Sequence, residues 1–189
     1  SPERRTMKVF PFFLAAVLFA CALSAVADNP NKLGLSTICI EAKRGLILSE
    51  HRADVVRPPA SMVKLMLMFL VAEGLEAETW SLDKQITISR QAHNMGGSQV
   101  FLEENQVWSL EDLMYAIAVA SANDAAVAVA EGLWGSEEAC LKRMNQRAAQ
   151  LGMKNTRYHS VHGLPPRGGR EIDQTTAREM ALLARRCAR

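Results

Sequence analysis

The amino-acid sequence predicts an α/β (α+β) domain in which several apolar helices accompany an incomplete antiparallel sheet. Apolar residues make up 49% of the 189 residues, which is enough for a hydrophobic core, and charged residues make up 22%, which argues against disorder. Only a few short runs have the composition of strands, whereas longer stretches are apolar and begin with helix-capping residues. Because so few strands cannot form a complete sheet against so many helices, we expect a partial sheet.

The charge and the cysteines restrict the expected partners. The formal net charge is only +2, and all of it comes from residues 1–27, so residues 28–189 are neutral. Because nucleic-acid binding requires a basic face, no nucleic-acid partner is predicted. The 4 cysteines have neither CxxC spacing nor a Cys/His zinc pattern, so the sequence predicts unpaired thiols and no metal or other cofactor.

Residues 7–27 are predicted to be a secretory signal peptide. An apolar stretch extends from Val9 to Val26, and Ala25-Val26-Ala27 matches the small-x-small pattern of a cleavage site. Cleavage would make Asp28 the first residue of the mature protein, and residues 1–6 are interpreted as an upstream extension. We therefore expect an exported protein of the periplasm or cell envelope.

Two alternatives for this N-terminal segment stay open. The apolar stretch is near the lower limit of about 18 residues for a membrane span, so an uncleaved anchor is one alternative. A lipoprotein signal at Cys21 is the other, although Phe19 is bulky for that pattern.

The mature chain is predicted to begin with a β-hairpin. Leu33 to Ile40 and Leu46 to Ser49 are short apolar and β-branched runs, and Lys43-Arg44-Gly45 between them has the composition of a turn. A further strand is predicted over Gln85–Ser89, where polar and apolar residues alternate, followed by a glycine-containing loop over His93–Gln99.

The first helix is predicted to be buried on every side. Pro58-Pro59 precede it, and proline is favoured at a helix start, while Gly74 is expected to end it. The sequence is apolar all round through Leu70, which is typical of a helix surrounded by protein. Ser61 and Lys64 lie in its first turn, so burial of the helix also implies burial of the lysine.

The remaining helices are predicted from capping patterns such as the capping box of Ser109 and Asp112. A break at residues 121–124 separates the first two of them, and a long connection over 153–174 precedes the last. In chain order these helices are predicted over Ser109 to Ala120, from Ala125 to Gly132 or Gly135, from Ser136 to Gly152, and from Thr176 onward to Arg189.

Ser61 and Lys64 form the candidate catalytic pair. Residues at i and i+3 share one helix face, so the hydroxyl and the amine can meet. A serine needs a base to become nucleophilic, and a lysine serves as that base when burial lowers its pKa. A second Ser-x-x-Lys, Ser81 to Lys84, precedes a strand in a polar connection and is interpreted as solvent-exposed.

The tripeptide Ser121-Ala122-Asn123 supplies a second candidate element at the break between two apolar helices. Ser121 can relay a proton, and Asn123 offers a donor and an acceptor for Lys64 and for a substrate amide. By itself this tripeptide is more typical of a helix N-cap, and only its combination with Ser61 and Lys64 favours a catalytic interpretation.

These two motifs resemble the first two motifs of the serine D-Ala-D-Ala carboxypeptidases, the low-molecular-mass penicillin-binding proteins of peptidase family S11. The resemblance covers nearly all of the mature chain. It is carried in order by PPASMVKLM, ISRQAHNMGGSQVFL, LEDLMYAIAVASANDAAVAVAE, LGMKNTRYHSVHGLP and TTAREMALLA. It implies the fold shared by serine β-lactamases and DD-peptidases (the transpeptidase fold), here with a helical subdomain and part of the sheet.

The resemblance also implies roles for individual residues. Ser61 would be the acyl-enzyme nucleophile, Lys64 its general base, and Ser121 the proton relay. Asn123 would position Lys64 and bind substrate. Gly97-Ser98 matches a loop that overhangs the cleft in the family, with Ser98 as a substrate-binding residue.

The implied activity is removal of the terminal D-Ala from peptidoglycan pentapeptides through an acyl-serine intermediate, with β-lactams as covalent ligands. The sequence departs from the family because the third motif, Lys-Thr-Gly, is absent. We therefore expect residues 28–189 to be the N-terminal part of the catalytic domain and to be inactive alone. The family's C-terminal membrane-surface helix is also missing, so membrane association is expected only of a complete protein.

Three alternatives stay open at this point. A DD-endopeptidase would use the same residues on crosslinked peptides. A class A β-lactamase would have Ser-Asp-Asn where this chain has Ala122 in the middle position. A fragment that merely binds would have no catalytic role.

Overall fold

A computed structural model describes residues 36–166 and 171–188. The predicted extension, the signal peptide and residues 33–35 of the predicted hairpin lie outside the described residues. The strands are β1 (Thr37–Ile40), β2 (Ile47–His51), β3 (Gln85–Thr87) and β4 (Val107–Ser109). The helices are α1 (Lys64–Glu76), α2 (Arg90–His93), α3 (Leu110–Ala120), α4 (Asn123–Trp134), α5 (Glu137–Gln150) and α6 (Ala177–Cys187).

The predicted hairpin is confirmed, since β1 and β2 pair antiparallel with Thr37 opposite His51. The Glu41 carboxylate accepts the backbone N–H groups of Lys43 and Arg44 in the turn, and Gly45 adopts a left-handed φ of 78°. β2 ends two residues later than predicted, and its side chains are exposed along its whole length.

The first helix is largely buried, but not on every side as predicted, because the face of Leu65, Met68 and Ala72 is half-buried. Its two ends also differ from the prediction. A 3-10 turn over Ala60–Val63 comes first, and α1 begins at Lys64. Gly74 does not end the helix, which continues to Glu76. A Cβ atom at residue 74 would lie 2.0 Å from the Trp80 ring, so the glycine there allows close packing against that ring rather than a turn.

The strand predicted over Gln85–Ser89 is shorter in the structure, and its partner was not predicted. Ser89 is the N-cap of α2, because its hydroxyl accepts the Ala92 N–H at 3.0 Å. β3 pairs antiparallel with β4, a strand that the sequence does not distinguish from the following helix start. Ser109 is both the last residue of β4 and the N-cap of α3.

The remaining helices confirm the capping patterns. Ser109, Ser136 and Thr176 each accept a backbone N–H in the first turn of the helix that follows. α4 ends at Trp134, with Gly135 at a left-handed φ of 84°. α6 ends at Cys187 instead of continuing to Arg189 as predicted.

Helix α4 lies at the centre of the core, and all of its residues from Asn123 to Ala130 are buried. It packs against α1, α2, α3, α5 and β3. The two β-ladders stay separate, with two strands each, which agrees with the predicted α+β class and its partial sheet. Within the described ranges, no helix has both the length and the apolar character needed to cross a membrane.

Candidate active site

Ser61 and Lys64 lie at the junction between the 3-10 turn and α1. Ser61 is exposed, whereas Lys64 is only 2% exposed. Ala60, directly before the serine, has a left-handed φ of 49°, which is a strained conformation for a residue with a side chain. A hydroxyl that a substrate can reach therefore lies beside an amine that is largely excluded from water.

The Lys64 amine contacts four oxygen atoms. Nζ lies 2.7 Å from Asn123 Oδ1 and 3.0 Å from the His162 carbonyl oxygen. It also lies 3.2 Å from Ser61 Oγ and 3.4 Å from Ser121 Oγ. The structure thus brings together Ser61, Lys64, Ser121 and Asn123, the residues that the two motifs predict.

These partners define how the Lys64 amine can exchange a proton. Burial lowers the pKa of Lys64 to about 8, so about a tenth of the amine is neutral at pH 7 and about half at pH 8. An amide oxygen and a carbonyl oxygen only accept, and a neutral amine has two N–H groups and one lone pair. With Asn123 and His162 occupying the two N–H groups, the lone pair is left for a serine hydroxyl.

Ser121 and Asn123 are positioned by the sharp turn between α3 and α4. Ser121 has φ 53° and ψ 36°, a left-handed conformation that ends α3 and lets α4 begin at Asn123. The Asn123 amide nitrogen donates to the Gly96 carbonyl at 2.7 Å, which directs its oxygen toward Lys64. The turn therefore brings a hydroxyl and an oriented amide to the same amine.

The predicted loop around Gly97 and Ser98 lies against Asn123. The Ser98 carbonyl accepts the backbone N–H of Asn123 at 2.7 Å, and Ser98 itself is exposed to solvent. A Cβ atom at residue 97 would lie 2.7 Å from the Asn123 amide nitrogen and 3.0 Å from a Leu164 methyl group. Gly97 thus allows this loop to approach both neighbours closely.

Sequence reasoning missed Asp124, which fixes the continuation of the same loop. Asp124 is fully buried, and its carboxylate accepts the N–H groups of Val100 and Leu102, both at 3.1 Å. It also accepts the N–H of Ala125 at 2.9 Å, at the N-terminus of α4, where the helix dipole favours a negative charge. One buried carboxylate therefore joins the loop to the helix that carries Asn123.

Sequence reasoning also missed the segment around Gly163. Besides the contact of the His162 carbonyl with Lys64, a Cβ atom at residue 163 would lie 2.0 Å from the Ala60 oxygen and 3.0 Å from the Ser61 nitrogen. Only a glycine fits there, at φ 80°. The residues were visible in the stretch that resembles the family, but their contact with Ser61 and Lys64 has no local sequence signature.

The segment before Gly163 is held by buried side chains. The Asp173 carboxylate accepts the N–H groups of His159 and Ser160 and the Ser160 hydroxyl, at 2.6, 3.0 and 2.6 Å. Ser160 Oγ in turn accepts the Gly163 N–H at 2.8 Å. These bonds fix the backbone that meets Ser61 and Lys64.

The side chains of the second Ser-x-x-Lys, and the histidine side chains in the segment before Gly163, make contacts of their own. Ser81 and Lys84 of the second Ser-x-x-Lys are both exposed, and the Ser81 hydroxyl bonds to Asp83. His159 and His162 face different carboxylates, with Nε2 of His159 3.2 Å from Glu171 and Nε2 of His162 3.9 Å from Glu137.

Comparison with known proteins gives a consistent result. Residues 25–189 match the sequence profile of Peptidase S11, described as D-alanyl-D-alanine carboxypeptidase. The chain is 37% identical over 150 residues to the D-alanyl-D-alanine carboxypeptidase DacF of Bacillus subtilis (strain 168), an alignment that covers 79% of this chain and 38% of the relative.

Two solved structures resemble this one. The D-alanyl-D-alanine carboxypeptidase DacD from Francisella tularensis superposes with a TM-score of 0.76 at 34% identity, covering 87% of this chain and 41% of the other. Penicillin-Binding Protein D2 from Listeria monocytogenes, in its ampicillin-bound form, has a TM-score of 0.70 at 30% identity, with coverages of 80% and 60%. The chain thus spans about two fifths of the length of the Bacillus subtilis relative and of the Francisella tularensis structure.

Proposed function

Because the chain belongs to the D-alanyl-D-alanine carboxypeptidase family, peptidase family S11, we propose that it carries the nucleophilic site of a serine-type D-Ala-D-Ala carboxypeptidase. The substrate would be a peptidoglycan stem peptide that ends in D-Ala-D-Ala. The observation that supports this most strongly is the buried Lys64 amine, which lies 3.2 Å from the exposed Ser61 hydroxyl. The amine is held by the Asn123 amide oxygen and the His162 carbonyl oxygen, which can only accept hydrogen bonds.

In the acylation step, Ser61 Oγ attacks the carbonyl carbon of the bond between the two D-alanines while its proton passes to Lys64 Nζ. The tetrahedral intermediate collapses when the leaving nitrogen takes up a proton, which Ser121 relays from Lys64 across the 3.4 Å contact. Free D-alanine departs, and the donor peptide remains as an ester on Ser61. General acid-base assistance of this kind contributes about 10²–10⁴-fold to the rate.

In the deacylation step, a water molecule attacks the ester carbonyl and gives its proton to Lys64. Collapse of the second tetrahedral intermediate returns a proton to Ser61 Oγ and releases the shortened peptide. Asn123 holds the amine in place through both steps, because its amide is fixed at its other end by the Gly96 carbonyl.

A β-lactam would enter the same acylation step, because its strained ring amide also presents a carbonyl to Ser61. Ring opening leaves the nitrogen tethered to the acyl group, so no leaving group departs and the ester persists. The ampicillin-bound form of the Listeria penicillin-binding protein supports this expectation for a chain that resembles it.

The test is covalent labelling of the full-length gene product with a fluorescent penicillin, together with release of D-alanine from a linear pentapeptide. Ser61→Ala is expected to abolish labelling and to reduce D-alanine release by several orders of magnitude. The matched control is Ser81→Ala in the exposed second Ser-x-x-Lys, which should label like the parent. Labelling of Ser61→Ala at the parental level would refute the proposed nucleophile.

We also propose that the protein is exported, with residues 7–27 as a cleaved signal peptide. The apolar stretch and the Ala-Val-Ala pattern support this, as does a substrate that lies outside the cytoplasmic membrane. N-terminal sequencing of the protein from the cell envelope should begin at Asp28. A mature protein that retains residues 9–26 would indicate the uncleaved anchor instead.

A further inference from the structure

Phe101 is a strained and exposed aromatic residue in the loop that borders the candidate active site. Its φ is 59°, in the left-handed region, and its side chain is 76% exposed. A bulky side chain in this region is a true conformational outlier, and such outliers persist only where the surrounding structure enforces them. An exposed ring contributes little to the core in return.

The enforcing group is the buried Asp124 carboxylate. One of its oxygens, Oδ2, accepts the N–H of Val100 and the N–H of Leu102, the two neighbours of Phe101. Leu102 is itself 1% exposed, so its side chain is buried in the core. With both neighbours anchored, residue 101 must turn outward, and its ring is presented to solvent.

This loop is continuous with the site. The Asn123 backbone N–H and side-chain amide bind the carbonyl groups of Ser98 and Gly96. Phe101 follows Ser98 by three residues, a span of at most about 10 Å of extended chain. Other left-handed non-glycine residues are also placed at the site, namely Ala60 beside the nucleophile and Ser121 itself.

We propose that Phe101 is a specificity-determining residue whose ring contacts the aliphatic part of the peptide on the acyl-donor side of the scissile bond. This inference rests on the proposed function. On the leaving-group side the substrate is a single D-alanine, which offers an aromatic ring only a methyl group beside its carboxylate. The donor side continues into the stem peptide, where the third residue has a long, largely aliphatic side chain.

The experiment compares Phe101→Ala, Phe101→Gly and Phe101→Leu in the full-length gene product. Two donor peptides are used, one with diacetyl-lysine before D-Ala-D-Ala and one with acetyl-alanine in that position. The alanine and glycine variants should lose about five- to tenfold in kcat/KM for the lysine peptide and little for the alanine peptide, and leucine should restore most of the preference. Acylation by penicillin, which lacks the stem peptide, should change less than about twofold.

A thermal readout tests whether residue 101 is strained. Glycine relieves the left-handed conformation and alanine does not, so the Tm of Phe101→Gly should be about 2 °C or more above that of Phe101→Ala. The matched control is Glu78, which is exposed and left-handed at φ 54° but follows the far end of α1. Glu78→Gly should likewise have a higher Tm than Glu78→Ala, and neither variant should change kcat/KM for the two peptides.

The outcomes separate this inference from the proposed function. Equal loss on both peptides, or unchanged discrimination between them, would overturn the role of Phe101 while penicillin labelling of Ser61 remains intact. A Phe101→Gly variant no more stable than Phe101→Ala would overturn the argument from strain. Absence of penicillin labelling in the parent protein would instead overturn the proposed function, and this inference with it.

Discussion

At the scale of single residues, the site depends on the environment of one amine. Lys64 is withdrawn from water, and burial lowers its pKa to about 8. Its two fixed acceptors come from distant parts of the chain, the Asn123 amide and the His162 carbonyl. A surface lysine with the same spacing, Lys84, lacks this environment because it is exposed.

The first prediction concerns the pH dependence of acylation. Because the neutral amine is the proposed base, the rate of penicillin acylation should rise about tenfold per pH unit below about 8 and level off above it. The free energy of unfolding should also rise with pH, between about 8 and 10.5. In this range the folded protein has lost the Lys64 proton, whereas the unfolded chain retains it up to the ordinary pKa of 10.5.

Stopped-flow acylation rates between pH 6 and 10 measure this profile. Lys64→Arg is the matched variant, because a guanidinium stays charged throughout and should give negligible acylation at every pH. A flat profile below pH 8 in the parent would contradict the role of a neutral Lys64.

The second prediction concerns Gly163. Gly163→Ala places a methyl group where the Ala60 carbonyl lies, so the backbone before Ser61 has to move. Since a displacement of about 1 Å at a reacting group costs about 100-fold in rate, acylation should fall by about that factor or more. Gly152→Ala is the control: residue 152 also has a left-handed φ, 79°, but a Cβ there meets no atom within 4 Å.

Thermal unfolding and penicillin acylation of the two variants give the comparison. Both should lose about 1 kcal/mol from the left-handed conformation. Gly163→Ala should lose more, because of its overlap with the Ala60 carbonyl, and only this variant should lose acylation. Equal acylation by the two variants would show that the contact with residues 60 and 61 does not position Ser61, the proposed nucleophile.

At the scale of elements, the N-terminus of α4 organises the site. Ala122 is its N-cap and has no side-chain cap, so the following residues supply the polar contacts instead. Asn123 binds the carbonyl groups of Gly96 and Ser98, and Asp124 binds the amides of residues 100 and 102. A helix start, which is usually only a structural boundary, here anchors the loop beside the candidate active site.

The third prediction is that Asp124→Asn destabilises the fold and slows acylation. The amide keeps the shape of the side chain, but its NH₂ group cannot accept the loop N–H groups, and a buried unpaired donor costs about 1–3 kcal/mol. The loop that holds Asn123 would loosen as well, so the acylation rate should fall about tenfold or more.

Ser136→Ala provides the comparison for this element. Loss of this N-cap of α5 should cost about 1 kcal/mol and leave acylation unchanged, because α5 begins at the other end of α4. Chemical denaturation with penicillin kinetics distinguishes the two variants. If Asp124→Asn lost only stability, Asp124 would have no positioning role.

At the scale of the whole molecule, the described residues form a well-buried helical core beside two short β-ladders. In the described ranges β2 pairs only with β1, and its side chains are exposed throughout. Leu46, Ile47 and Leu48 are 50%, 50% and 66% exposed. Apolar strands with an open edge favour pairing with further strands.

The fourth prediction follows from this edge. A polypeptide of residues 28–189 alone should self-associate at micromolar concentrations, and Leu48→Lys should reduce that association because a charge opposes strand pairing. Leu82→Lys is the control, since residue 82 is also an exposed leucine, 38% exposed, but lies in a connection. Light scattering measures the self-association of the two variants. An equal effect of the two substitutions would show that net charge alone controls solubility.

The sequence by itself determined the features that depend on neighbours along the chain. Capping hydroxyls at Ser109, Ser136 and Thr176 predicted helix starts, because an N-cap bonds to an N–H within the next turn. The spacing of Ser61 and Lys64 predicted their contact, because residues three apart share one face of a helical turn. The resemblance added Ser121 and Asn123, which local patterns alone would have assigned to a helix cap.

Only the tertiary structure decided the features that depend on residues far apart in the chain. Gly74 is a residue type that often ends helices, but here the Trp80 ring packs against it and the helix continues. The contacts of Asp124 with the loop, and of Gly163 with the backbone before Ser61, join segments that no periodicity relates. Local hydrogen bonds are encoded over one helical turn, whereas close approach between distant segments is fixed only when the core packs.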